Sequence, residues 1–357
     1  MFWNRAKKAA VCVFLLTNIL CLVGFDSIAQ ATTYYVDIDR GDDDWDGLAK
    51  SRAGEMNGPW KNLPGTVDAG GEGWTVLMAG DIVCVKGGTR NRAQVIVNSR
   101  YYRGEAKYDS IRIRGGQLAD PAWGARAPIL DGEGVRTFGF WLGEADKEAV
   151  VQGVTIEGFD IRNIKGGGIG KGFDPEEGSA CIAAGGDGKL HYCAIRRCRL
   201  QDALRDGSGQ GYGIETSNGD HLIVENNLIG PNIGTAGIEF HRTHWSVIRM
   251  NHVRDCGGFG VVVTANRCDV NGNVIEMTPP FVGDFACGLR IAGEGVDVWN
   301  NVVYLDRDTS VPLAEGACAQ GAGFAGSANC RGFHNTVCRF GNPFQASPFG
   351  AGLVVEE

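Results

Sequence analysis

Short apolar stretches broken by single polar positions recur through the second half of the chain, and most of them carry an Asn at the same place. Seven segments align: VTIEGFDI (154–161), CAIRRCRL (193–200), LIVENNLI (222–229), SVIRMNHV (246–253), CDVNGNVI (268–275), VDVWNNVV (296–303) and RGFHNTVC (331–338). Each is followed by a unit that opens with Gly and an apolar residue: GGIG, GIET, GIEF, GVVV, GLRI, GFAG and GLVV. Alternation over three or four residues predicts short strands, and Gly or Asn between them predicts tight turns. The positions Cys198, Asn227, Asn251, Asn273, Asn301 and Thr336 lie 29, 24, 22, 28 and 35 residues apart. A unit of this length, with two or three strands and no helical stripe, predicts an all-β solenoid of stacked coils.

The variation in length sits at one place, between the Asn and the following Gly, so one corner of every coil takes the insertions. The step from the Gly unit to the next Asn is nearly constant. A propeller would need four strands per blade, and a leucine-rich repeat would need its Leu framework; neither pattern is present. Asn suits the turn for two reasons: it tolerates strained backbone, and amides stacked coil over coil can hydrogen-bond in a ladder. Gly suits a bend where a side chain would collide.

Alternation within the Gly-led unit places the residue after Gly inside. It puts Glu215, Glu239, Val262 and Arg290 in one outward column, with Ser217, His241, Thr264 and Ala292 in the next. Adjacent parallel strands lie about 4.8 Å apart, so Glu215 and Glu239 become neighbours. Two facing carboxylates repel unless something binds or pairs them, which makes the face a candidate site; a solvated or Arg-paired face is the plainer alternative. A second outward column, Arg196, Glu225, Arg249, Asn271, Trp299 and His334, alternates in sign as simple cross-strand pairing would.

Composition fits this picture. Gly accounts for 55 of 357 residues, about twice the usual share. The first 31 residues read as a secretory signal, with Arg5, Lys7 and Lys8 before an apolar run and Ala29-Gln30-Ala31 at the cleavage site. Removing this leader, net +2, takes the formal charge from −8 to −10. That balance argues against nucleic acid, whose phosphates need basic surfaces. Nothing after the leader is apolar enough to span a membrane, so the mature chain is expected as a secreted monomer, periplasmic or extracellular. Ten of the 12 Cys remain in it without a CxxC pair, which leaves buried apolar filling or disulfides whose pairing the sequence does not fix.

The N-terminal strings TYYVD (33–37), GDDDWDGL (41–48), GPWKNL (58–63) and GDIVCVKGGT (80–89) precede SIRIRGG (110–116) and APILDGEG (127–134), which read as first coils. Together with the repeats they resemble the right-handed parallel β-helix superfamily of pectate-lyase-like, polysaccharide-active proteins. The resemblance implies a cap and first strands over 32–105 and a β-helix over 106–357. The capping helix it implies near 63–80 would be short, since that segment holds five Gly and one Pro. The chain also stops at GLVVEE with no covering segment, which is expected either of a C-terminally truncated β-helix or of an end that another molecule covers.

The resemblance implies a secreted lyase that cleaves a uronic-acid glycan by β-elimination in a groove on the strands after the variable corner. Glu215 and Glu239 would hold Ca²⁺ against the substrate carboxylate, which would let an acidic protein bind an acidic sugar. Arg290, His241 and Arg242 are the candidate base or charge-stabilising groups. His244 and Trp299 are the candidate sugar contacts. Two alternatives stay open: a glycoside hydrolase using the carboxylates as acid and base or nucleophile, and a non-catalytic surface protein that only binds glycan. The paired-Asp and Gly-His-Gly strings of polygalacturonase-like enzymes and the Arg-Pro motifs of pectate lyases proper are absent. The loop from Asp42 to Gly47 starts like an EF-hand, but Ala53 stands where the bidentate Glu belongs.

Overall fold

Strands of three residues with only the middle one fully inside, such as Ile223–Glu225, Val247–Arg249 and Asp297–Trp299, cannot stand alone. Each is held by the coil above and the coil below. A computed structural model describes residues 31–67, 74–144, 149–165, 178–186, 189–203, 210–278, 285–305, 318–324, 328–338, 342–346 and 354–356. Over these residues the chain winds through three sheets in turn. The first runs from Thr33–Val36 and Ile82–Val85 to Val354–Glu356, the second from Arg90–Asn91 to Thr336–Cys338, and the third from Val95–Val97 to Asn342–Ala346. All pairs between successive coils are parallel. The described residues contain no α-helix, only two 3₁₀ turns at Gly116–Leu118 and Pro121–Trp123; Leu77–Met78, in the segment expected to hold a capping helix, is a strand.

The turn from the first sheet to the second is two residues long in each repeat, and the Asn pair divides two tasks between them. The leading residue is left-handed: Arg197, Asn226, Met250, Asn300 and His334 have φ between 51° and 57°, and Gly272 has 63°. The following residue carries the ladder. Asn251 Nδ2 donates to Val224 O and to Asn273 Oδ1, and its own Oδ1 accepts from the backbone and side chain of Asn227. The same bonds repeat through Asn273 and Asn301 to Asn335. The last rung is therefore Asn335 and not Thr336. A lone Asn between His334 and Thr336 fills the ladder place, and His334 takes the left-handed one.

The Gly-led units also need two corrections. The pairing of Leu289 with Ala322 makes Gly321 the leading Gly, so GFAG lies two residues too far along. Val354 and Val355 of GLVV sit in the first sheet, paired with the strand Arg331–Phe333. GGIG, the leader up to Gln30 and most of the C-terminal segment fall outside the described residues; Ala180-Cys181-Ile182 takes the place expected for GGIG.

The interior is a single apolar stack of Val, Ile, Leu and Phe running the length of the coils, with Cys181, Cys193, Cys198, Cys256 and Cys268 buried in it without disulfides. Burial pushes their thiols up, Cys193, Cys198 and Cys268 to about 12, so they act as small apolar fillers. Gly is required where the third-sheet strand bends. A Cβ on Gly237 would stand 2.3 Å from Val253 Cγ1 and 2.8 Å from Gly260 O. Outside, on the first sheet, Glu225 bridges Arg196 at 2.7 Å and Arg249 at 2.6 Å, the pairing that the alternating signs predict.

The two places in the turn should respond differently to substitution. Asn251→Ala strips four hydrogen bonds from buried backbone and amide groups and should cost about 3 kcal/mol, whereas Asn226→Gly keeps the left-handed backbone and should stay within about 1 kcal/mol. Urea denaturation of the two variants measures the contrast; equal losses would refute the division.

Candidate active site

The third sheet follows the corner that takes the insertions, and its register sets the candidate residues in rows. One outward row reads Ile96, Trp141, Ala183, Glu215, Glu239, Val262 and Arg290 on successive strands. The row beside it reads Phe138, Ala180, Tyr212, Ala236 and Phe259. The bend at each Gly lets both Gly213 and Ile214 face inward, which is why Tyr212 and Glu215, three residues apart, share the outer face.

These rows form a second apolar cluster on the outside of the coils. Phe138, Trp141, Ala180, Ala183, Tyr212, Ala236 and Val262 are buried there, with Ile96 and Phe259 packed against them. Glu215 and Glu239 stand in its middle. The Oε2 atom of Glu215 is shut from solvent and has no hydrogen-bond partner. Burial first, and the neighbouring Glu239 charge second, push the Glu215 carboxyl up to about 8, so it is protonated at neutral pH. Glu239 is raised by burial too, but the Arg290 charge and a hydrogen bond from the Tyr212 hydroxyl pull it back. Two identical residues side by side thus sit in unlike surroundings, Glu215 on the apolar side and Glu239 facing Tyr212 and Arg290, which favour its charged form.

The other candidates fall into two groups. Arg290 is exposed in the same row, its guanidinium 5.4 Å from the centroid of the Phe259 ring. His241 is exposed two residues beyond Glu239 on the same face, its Nδ1 3.0 Å from Thr264 Oγ1; burial first, then the Arg242 charge, lower its pKa and leave it neutral. Arg242 is exposed within the strand Ala236–His244, with a left-handed backbone at φ of 49°. His244 lies further along, where its Nδ1 accepts from Asn266 N and its ring meets Trp245 edge-on.

Trp299 is not part of this face. It belongs to the first sheet, stacked on Phe333 with ring centroids 6.0 Å apart. Strand alternation shows that a side chain points outward but not that two outward columns look out from different walls.

A calcium ion does not fit between Glu215 and Glu239. Ca²⁺ takes six to eight oxygen ligands, and the pair is flanked by Ala183, Ala236 and Val262, which offer no side-chain oxygen. Among the described residues no group of three or more His, Cys, Asp and Glu is placed to hold a metal. In the Asp42–Gly47 loop two carboxylates are engaged by neighbouring segments: Asp43 accepts from Lys61 N, Asn62 N and Asn62 Nδ2, and Asp46 from Leu48 N and Asn57 Nδ2.

Trp141, Phe138 and Tyr212 are the residues that the repeat alignment leaves out. The signal for them is the string FGFW (138–141), which matches YGIE (212–215), AGIE (236–239) and FGVV (259–262) once the residue before each Gly is included.

A family model described as "Right handed beta helix region" matches residues 134–305. The fold of the described residues is a right-handed parallel β-helix. Among solved structures it is similar to the GH136 lacto-N-biosidase from Eubacterium ramulus, with a TM-score of 0.51 and 14% identity over 91% of this chain and 67% of that one. It is also similar to DFA-IIIase from Arthrobacter chlorophenolicus A6 in complex with GF2, with a TM-score of 0.45 and 15% identity over 90% and 93%. No curated protein sequence matches it.

The raised Glu215 has a consequence for stability. The unfolded chain releases this proton near the ordinary 4.5 and the folded chain only near 8, so folding is favoured most below pH 4.5 and loses stability through that window. Glu215→Gln removes the penalty. Its melting temperature should exceed the wild type's above pH 7 and converge with it below pH 4.5; a constant offset across the range would count against the assignment.

Proposed function

We propose that this protein is an exported carbohydrate-active enzyme that hydrolyses a glycosidic bond on the outer face of its third sheet. The observation that carries this reading is the register of Glu215 against Glu239, with Glu215 pushed up to about 8 by burial and the Glu239 charge, and Glu239, itself raised by burial, facing the Arg290 and Tyr212 groups that favour its charged form. Hydrolysis of a glycoside requires an acid that is still protonated at working pH and a carboxylate that is ionised. Adjacent strands set the two about 5 Å apart, the spacing of retaining enzymes. Glu215 gives its proton to the leaving oxygen while Glu239 attacks the anomeric carbon. Glu215, now ionised, then takes a proton from the water that releases the sugar. The Tyr212 hydroxyl bonds Glu239, and the partly buried Phe259 and Ile96 at the edge of the cluster offer apolar surface to a sugar ring.

The fold is one that a lacto-N-biosidase also uses, which is compatible with this chemistry and does not select it. A neutral glycan also removes the difficulty of an acidic protein binding an acidic polymer, so no metal bridge is needed.

β-Elimination from a uronic-acid glycan is the second reading. The exposed Arg290, two strands from Glu239, favours it: a guanidinium there would neutralise a substrate carboxylate while the neutral His241 took the proton. The two readings give different products. We expect incubation with a panel of neutral and acidic polysaccharides to release reducing ends of retained anomeric configuration, without the ultraviolet absorbance of an unsaturated uronate. Glu239→Ala should lower turnover about a thousand-fold without unfolding. Tyr212→Phe should move the acidic limb of the pH–rate profile upward, because Glu239 loses the bond that favours its charge. Unsaturated product would establish the lyase, and near-normal turnover by Glu239→Ala would remove the site.

A further inference from the structure

A second concave site lies away from the carboxylate pair, at the corner where the second sheet turns toward the third. It encloses about 430 Å³, within the size range of small-molecule sites. Its walls include Arg90, Asp131, Glu133, Asn163, Lys165 and Asp202. These come from successive coils: the strands Ile129–Arg136 and Asp160–Ile164 pair in parallel, and Ile164 bridges to Ala203 beside Asp202.

The chemistry of the walls is mixed. Asp131 is buried at the base; its Oδ1 accepts from Glu133 N at 2.9 Å and from Asn163 Nδ2 at 3.0 Å. Its Oδ2 is ion-paired with Arg90 Nη2 at 2.5 Å and with Arg162 Nε at 3.5 Å. The Nε of Arg136, at the end of the same strand, is buried without a hydrogen-bond partner. At the rim, Glu133 lies 3.2 Å from Arg92 Nε, and Asp202 Oδ1 accepts from Asn232 Nδ2 at 2.7 Å. The cleft therefore offers carboxylates, an amide, a guanidinium and an ammonium at close quarters, with opposite charges nearly balanced.

That balance selects among ligands. A phosphate or a polyanion would meet Asp131, Glu133 and Asp202; a metal cation would meet Arg90 and Lys165. A neutral polyhydroxylated molecule can satisfy both signs, since each hydroxyl donates to a carboxylate and accepts from a guanidinium or ammonium. We propose that this cleft is an accessory site for a neutral sugar unit, distinct from the Glu215–Glu239 face.

Binding tests it independently of whether the carboxylate pair hydrolyses anything. Glu133 and Asp202 are left-handed, with φ of 54° and 55°, so Glu133→Gly and Asp202→Gly remove the side chains and keep the backbone; Lys165→Ala is a third variant. The full chain carrying Glu239→Gln, to prevent turnover, is titrated calorimetrically with neutral oligosaccharides and with oligogalacturonate, and circular dichroism checks that each variant folds. We expect a neutral oligosaccharide to bind, and the Glu133→Gly, Asp202→Gly double variant and Lys165→Ala each to weaken it at least tenfold. In the background with Glu239 intact, hydrolysis of a short soluble substrate should be unchanged by these substitutions. Binding that is equally strong in the cleft variants, binding of the acidic oligomer alone, or no binding of any neutral oligosaccharide would each overturn the proposal.

Discussion

The two-residue turn between the first and second sheets is the constraint on which everything else rests. One position needs a left-handed backbone and the next needs an amide that can bond upward and downward at once. When both are met, each coil is locked in register on the one before it. Because side chains alternate with a period of two, a slip of one residue would turn the outer face inward. The Asn ladder running from Asn227 to Asn335 is thus also what places Glu215 opposite Glu239, although no Asn touches either.

Register explains why two residues of the same type come to differ. Each third-sheet strand contributes one side chain to each outward row, so the environment of Glu215 is set by Ala183 before it and Glu239 after it. The environment of Glu239 is set by Val262 and, one strand further, by Arg290. A row that runs from aromatic and small residues to an arginine imposes a gradient from apolar to charged along the coil axis. The carboxylates sit where it changes, and that asymmetry, together with Tyr212, gives Glu239 the charge-favouring contacts that Glu215 lacks.

Most of the coil architecture was legible in the sequence because its causes are local: Gly where a Cβ has no room, Asn where the turn demands it, apolar residues at every second place. The pairing of Glu215 with Glu239 followed from spacing alone, as did the salt-bridged column through Glu225. The final rung was misplaced by one residue because a single Asn does not say which of the two turn positions it fills. Tyr212 and Trp141 were missed because they precede the Gly or belong to a coil with no Asn. The protonation of Glu215 was not legible either, since it depends on burial by residues far along the chain. Trp299 shows the same limit from the other side: exposure can be read from alternation, but the direction of a wall cannot.

The corner between the second and third sheets differs from the other two in having no fixed length. The links there run from the single residue 137 to the thirteen residues 165–177. Chain added or removed at this point leaves the rungs undisturbed, so the scaffold separates what must be kept from what is free to change. Descendants of such a molecule can acquire a new appetite by rewriting connectors at one edge, while the frame beneath them is inherited intact.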